Sequence, residues 1–222
     1  MNRSRIHTAF TLIELLVVIS IIAVLAGFAV PAYQGAVLNG RMANAMNNAR
    51  QVGLALRLYA NDYEGSYPSK RNVYDQEIVN SNDAFRSLIP AYLDTEKVFV
   101  IGGSKTGALA DNRIADQTQI LEIGENHWAY VSGLSASSNS NWPLIVDHTD
   151  GSGNYKTKEG DLGGTWKGMK TIVIATDTSA RMQPLLGAGD TRYLPRFDDR
   201  TKNALLVQEY MGDLVKLLEP AQ

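Results

Sequence analysis

The sequence predicts an α+β protein. One long N-terminal helix, half apolar enough for a membrane and half amphipathic, packs on a small antiparallel β-sheet head that ends in a C-terminal helix. Three observations predict this. From Ala9 to Tyr33 the run is apolar, and the polar side chains before Tyr33 are Thr11, Glu14 and Ser20. Beyond it, apolar or small residues recur at steps of three and four as far as Tyr63. Further on, short β-prone runs alternate with clusters of glycine, asparagine and serine.

The first run is long enough to span. About 20 residues at 1.5 Å each cross a hydrocarbon core of roughly 30 Å. Arg3 and Arg5 precede it with no acid nearby, which keeps the N-terminus cytoplasmic and places the remainder in the periplasm or outside. Residues 10–33 are therefore read as the span. Glu14 is the exception within it: a carboxylate at a bilayer centre costs roughly 2.5–3.5 kcal/mol on insertion scales and marks a functional position with a partner.

Residues 34–63 read as an amphipathic continuation of the same helix. Leu38, Met42, Ala45, Ala49, Val52, Leu56, Tyr59 and Tyr63 form one stripe, and Arg41, Asn44, Asn47, Asn48, Arg50, Arg57 and Asn61 lie opposite. Pro31 and Gly35 sit where the halves meet, and Pro31 is the expected kink. Glu64-Gly65 and Pro68 end the helix near Asp62.

The head is then residues 64–222. Asn82-Asp83 is expected to cap a short helix over Ala84 to Ile89, stopped near Pro90. Strands are expected at Val98-Ile101, Ile120-Ile123, Trp128-Val131, Leu144-Val146 and Lys170-Thr176, the last opening a hairpin through Asp177-Thr178-Ser179. Asp198-Asp199 is expected to cap a helix from about Thr201 to Leu218, with Leu205, Tyr210 or Met211, Leu214 and Leu218 inward.

Composition narrows the function. A chain of 222 residues with 45% hydrophobic and 20% charged residues is that of a folded protein. A net charge of −2 and no basic run beyond the first residues argue against a nucleic-acid partner. Without cysteine there is no disulfide, thiol nucleophile or thiolate metal site.

Catalytic signals are weak. His127 beside Trp128 reads as a strand-edge residue, and no G-x-S-x-G elbow accompanies Asp147-His148. The chain is therefore expected not to be an enzyme and to need no cofactor. The one metal candidate is weak. Counted from Asp150, oxygen donors fall at positions 1, 3 and 5, with Asp161 at position 12. Asp150, Asn154 and Asp161 thus partly imitate a calcium loop, although Tyr155 stands where the sharp turn wants glycine.

The stretch "AFTLIELLVVISIIAVLAGFAVPAY" resembles the N-terminus of the type IV pilin and type II secretion pseudopilin superfamily. The resemblance implies a leader, residues 1–9, cut by a prepilin peptidase between Ala9 and Phe10. It also implies N-methylation of Phe10, and a glutamate at Glu14 that neutralises the Phe10 amine of a neighbouring subunit. The family's residue before the cut is usually glycine; Ala9 departs from that and implies slower cutting. Pro31 matches the family's proline late in the span, and some members bind calcium in a C-terminal loop. "HWAYVSGLS" and "DLGGTWKGMKTIVIATDTS" resemble, less distinctively, pilin-like proteins of environmental bacteria.

The expectation is a structural subunit of the bacterial inner membrane that assembles with copies of itself into a fibre, on an assembly platform, for type II protein secretion. The alternative is an uncleaved anchor carrying an extracytoplasmic binding module.

Overall fold

The computed structural model describes residues 11–104 and 109–221, apart from the side chain of Tyr210. The chain divides into two compact units, one ending at Gly40 and one beginning at Arg41. Helix α1, Leu12–Asp62, belongs to both and is assigned without a break through Pro31.

In the first unit α1 is apolar over its whole circumference. Leu12, Ile13, Ile22, Val24, Leu25 and Phe28 are all more than half exposed. The Ser20 hydroxyl bonds back to the Leu16 carbonyl at 2.7 Å, so even this polar side chain is satisfied within the helix. Among the described residues one helix, Leu12–Asp62, is long and apolar enough to cross a membrane.

In the second unit the same helix behaves as an amphipathic element. Met42, Ala45, Ala49, Val52, Leu56 and Tyr59 are buried, as the stripe predicts. Leu38, which still lies in the first unit, is half-buried, and Tyr63 is exposed but stacks on Tyr59 at 4.1 Å between ring centroids. The helix stops where Glu64 and Gly65 turn left-handed, and the Gly65 amide bonds back to the Ala60 carbonyl at 2.7 Å.

The sheet is antiparallel and built from five strands in the order β5-β4-β2-β1-β7. These are β1 (Trp128–Ser132), β2 (Pro143–Asp147), β4 (Lys170–Ala175), β5 (Ala180–Pro184) and β7 (Lys216–Leu218). A small second ladder joins β3 (Tyr155–Lys156) to β6 (Thr191–Arg192). Strand parity sorts the core into two layers. Tyr130, Ile145 and Ile174 are in register on one face; Ala129, Val146 and Val173 are in register on the other. The first face meets α1: a Cβ built on Gly53 falls 2.7 Å from Cγ2 of Ile174. The second face is covered by Tyr155, Leu185, Leu194, Ala204 and Leu205. Both faces being occupied explains why β1 and β2 are buried at every residue rather than at alternate ones.

Helix α2, Ser81–Arg86, starts earlier than expected. Its N-cap is Asn80, and Asp83 is the partner that completes a capping box from the third helical position. Asn82 instead is buried and donates to the Leu121 carbonyl at 2.9 Å. The hairpin of β4 and β5 through Asp177-Thr178-Ser179 is as expected. Val98-Ile101 is not a strand but overlaps a single 3₁₀ turn, Lys97–Phe99, and Ile120-Ile123 is a turn.

The expected C-terminal helix is corrected. Only one turn forms, α3 (Gln208–Met211), and Lys216–Leu218 becomes the edge strand β7 against β1. Asp199 does not cap a helix; it accepts from the Thr201 amide at 3.0 Å and hydroxyl at 2.6 Å in a local turn. Gly212 then takes φ of 96°, which ends α3 after one turn. Leu205 and Leu218 are buried as expected, but Leu214 is exposed. Tyr210's inward placement lies outside the described side chains.

Gly53 is the tightest point of this packing. Gly53→Ala is expected to destabilise the full chain by roughly 1–3 kcal/mol through overpacking, less about 1 kcal/mol regained in helix propensity. Gly40→Ala, where an added Cβ meets nothing, is expected to be neutral or slightly stabilising. Denaturant midpoints of the two variants in detergent check the contrast.

Candidate functional site: the helix start and the polar clusters of the head

Ala9 and Phe10 lie outside the described residues; Glu14 does not. The stretch Thr11-Leu12-Ile13-Glu14 forms a reciprocal capping box. The Thr11 amide donates to Glu14 Oε2 at 2.9 Å and the Thr11 hydroxyl to the same oxygen at 2.7 Å. The Glu14 amide in turn donates to Thr11 Oγ1 at 3.3 Å. The S/T-x-x-E spacing is a sequence signal for this motif, a local bond separate from the expected pairing of Glu14 with a neighbour's Phe10 amine. All bonds to the carboxylate fall on Oε2; among the described residues Oε1 accepts none. One oxygen therefore starts the helix while the other remains available to a cation. Pro31 sits in the apolar half with its backbone still helical.

The calcium-like loop has internal occupations. Asp150 Oδ1 accepts from the Ser152 and Asn154 amides at 3.0 and 3.2 Å, and Oδ2 lies 3.4 Å from Lys156 Nζ. Asn154 Oδ1 accepts from Asn203 Nδ2 at 3.2 Å, and Asp161 pairs with Lys158 at 3.7 Å. Asp150 and Asn154 lie in the turn before β3 and Asp161 in the turn after it, each engaged by a neighbour in the chain.

His127 and His148 are both buried, with ring centroids 6.1 Å apart, rather than placed at a strand edge. His127 Nδ1 accepts from the Ile101 amide at 3.1 Å. Burial, and then the neighbouring His127, push His148 down to about 4, so it is neutral at physiological pH.

A buried acid sits beside them. Asp147, at the end of β2, receives the Thr171 hydroxyl and, at 2.8 Å, the Ile172 amide on Oδ1. Its Oδ2 is buried without a hydrogen-bond partner. Desolvation pushes its carboxyl up to about 7 despite the two bonds. Glu219, just after β7, is likewise raised by burial; it accepts the Thr149 hydroxyl and, at 3.1 Å, the Thr149 amide. These contacts tie the last residues of the chain to the end of the central strand pair. They form a hydrogen-bonded network between β2, β4 and the segment after β7.

Three comparisons bear on the chain. The model of the prokaryotic N-terminal methylation motif matches residues 5–30. Fimbrial protein EcpC of Eikenella corrodens is 42% identical over 65 residues, which is 29% of this chain and 42% of that relative. The match thus spans less than half the length of the relative. No solved structure matches.

A carboxyl raised in the folded state favours folding while protonated. Its contribution is present below the unfolded value near 4 and is lost as pH rises to about 7. The stability of the native chain relative to Asp147→Asn is therefore expected to fall between pH 4 and 7, by at most ~1.4 kcal/mol per pH unit, and to level off above. Urea midpoints of both proteins across that range check it; a constant difference would mean that Asp147 stays ionised.

Proposed function

We propose that this chain, which carries a prepilin-type methylation motif at residues 5–30, is a structural subunit that a prepilin peptidase cuts between Ala9 and Phe10 and that assembles with copies of itself into a helical fibre. The observation that carries the proposal is Glu14. It is the one charged side chain in the apolar half of α1, and among the described residues its Oε1 accepts no hydrogen bond. Cleavage creates an α-amino group on Phe10, methylated or not, and the Glu14 carboxylate of one subunit neutralises the Phe10 amine of the next. Two charges buried together cost far less than either alone. Their pairing also selects a register between helices that would otherwise slide on an apolar surface. A head-to-tail interface of this kind grows as an open helix rather than closing as a dimer. Pro31 is the proposed point of flexure as the helices bundle.

Before assembly the subunit sits in the inner membrane with its N-terminus cytoplasmic and the head outside, and an assembly platform supplies the work. The absence of cysteine and the low basicity support a secretion pseudopilus over a DNA-uptake filament. The fimbrial name of the relative supports a second reading, a surface fibre. Neither reading gives the chain a cofactor or an enzymatic role.

The test is a pair of variants followed by intact mass and fibre yield in the native host. Glu14→Gln keeps an oxygen for Thr11 but removes the charge; Glu14→Ala removes both. Both are expected to be cut at Phe10 and to lose fibre by roughly 100-fold, the effect of about 3 kcal/mol for an unpaired buried charge. If Glu14→Gln assembles normally, the carboxylate serves only the helix cap, an effect of ~1 kcal/mol. A mature species still beginning at Met1 would favour the anchored binding module.

A further inference from the structure

The segment between α2 and β1 contains a second acidic group that sequence spacing does not reveal. Glu96 precedes the 3₁₀ turn, Asp111 lies in the following loop, and Glu125 lies just before β1. One carboxylate oxygen from each lies within 4.8 Å of the other two. Glu96 is fully buried and Glu125 nearly so, whereas Asp111 is at the exposed rim. Part of this cluster is satisfied by backbone: the Leu121 amide donates to Glu96 Oε1 at 2.6 Å, and the Asp111 and Glu122 amides donate to the two oxygens of Glu125 at 3.0 and 2.7 Å. Arg113 pairs with Asp111 Oδ2 at 2.9 Å, on the exposed side. Among the described residues no salt bridge reaches Glu96 or Glu125. Glu96 Oε2 is buried and has no hydrogen-bond partner.

We propose that Glu96, Asp111 and Glu125 form a binding site for one hard divalent cation, of which calcium fits best. The donors are all oxygen, with neither imidazole nor thiolate, which selects against zinc and copper. Three carboxylates leave the rest of the coordination to carbonyls and water, the mixture that calcium's flexible shell accepts more readily than magnesium's strict octahedron. A cation there removes the repulsion among three acids, one of which, Glu96, carries a buried oxygen with no hydrogen-bond partner. It also gives the site a structural purpose. The described residues between the 3₁₀ turn and β1 contain no helix or strand, and an ion bridging positions 96, 111 and 125 ties both ends of that stretch together. The competing occupant is a proton: burial, with Glu125 and Asp111 nearby, raises the Glu96 carboxyl.

Calcium titration of the full chain in detergent, by calorimetry and by thermal unfolding against a chelator, separates the two. The expected result is one bound calcium and a higher Tm in calcium than in chelator. Glu96→Gln and Glu125→Gln should abolish both, and Asp150→Asn should leave both unchanged. Should the buried variants fail to fold, Asp111→Asn at the rim is expected to weaken binding measurably. Absence of calcium binding, with Glu96→Gln as stable as the native chain, would place a proton there and overturn the proposal. Binding lost in Asp150→Asn but kept in Glu96→Gln or Asp111→Asn would move the ion to the other loop and overturn it equally.

Discussion

Leu12 to Val30 form a helical stretch that is apolar on every side apart from Glu14 and Ser20, and nothing among the described residues covers it. At about 25 cal/mol per Å² of apolar surface, exposing that length to water is prohibitive. The segment is therefore confined to lipid or to a bundle of similar helices, and the rest of the molecule answers to that confinement. The head has to fold as its own unit, because the first part of α1 has no core to offer it. On a largely apolar surface the rare polar groups carry specificity, and Glu14 is the charged one among them. Its geometry suits two tasks at once, since the capping bonds to Thr11 occupy one oxygen and leave the other.

The head meets its side of the constraint by sealing a sheet between two layers. The second half of α1 closes one face, at a point where only glycine permits the backbone to approach Ile174. The segments carrying Tyr155, Leu194 and Leu205 close the other. Acids enter this interior, but for structural ends: Asp147 and Glu219 anchor strand ends and the final residues through threonine hydroxyls and backbone amides.

Much of this was legible in the sequence. The period of the apolar stripe gave the buried face of α1 and its end at Asp62, because long helices with one-sided patterning leave few alternatives. The central strands were legible from their β-branched runs. The C-terminal helix was misread because Leu205, Met211 and Leu218 have helical spacing, while Gly212 and the local turn at Asp199 decide otherwise. The 3₁₀ turn at Lys97–Phe99 and the turn at Ile120-Ile123 were misread as strands because short apolar runs carry no period of their own. At the functional end, Glu14 was legible but its bond to Thr11 was passed over, though the spacing announces it. The group formed by Glu96, Asp111 and Glu125 had no signal at all: its members are far apart in sequence and only the fold brings them together.

In the proposed fibre, copies of this helix cover one another. Chemical crosslinking of intact native-host cells, resolved by size and identified by mass, reads that packing. The expected result is a ladder of homotypic multimers built from chains beginning at Phe10. Chains that remain monomeric with Met1 to Ala9 attached would contradict it.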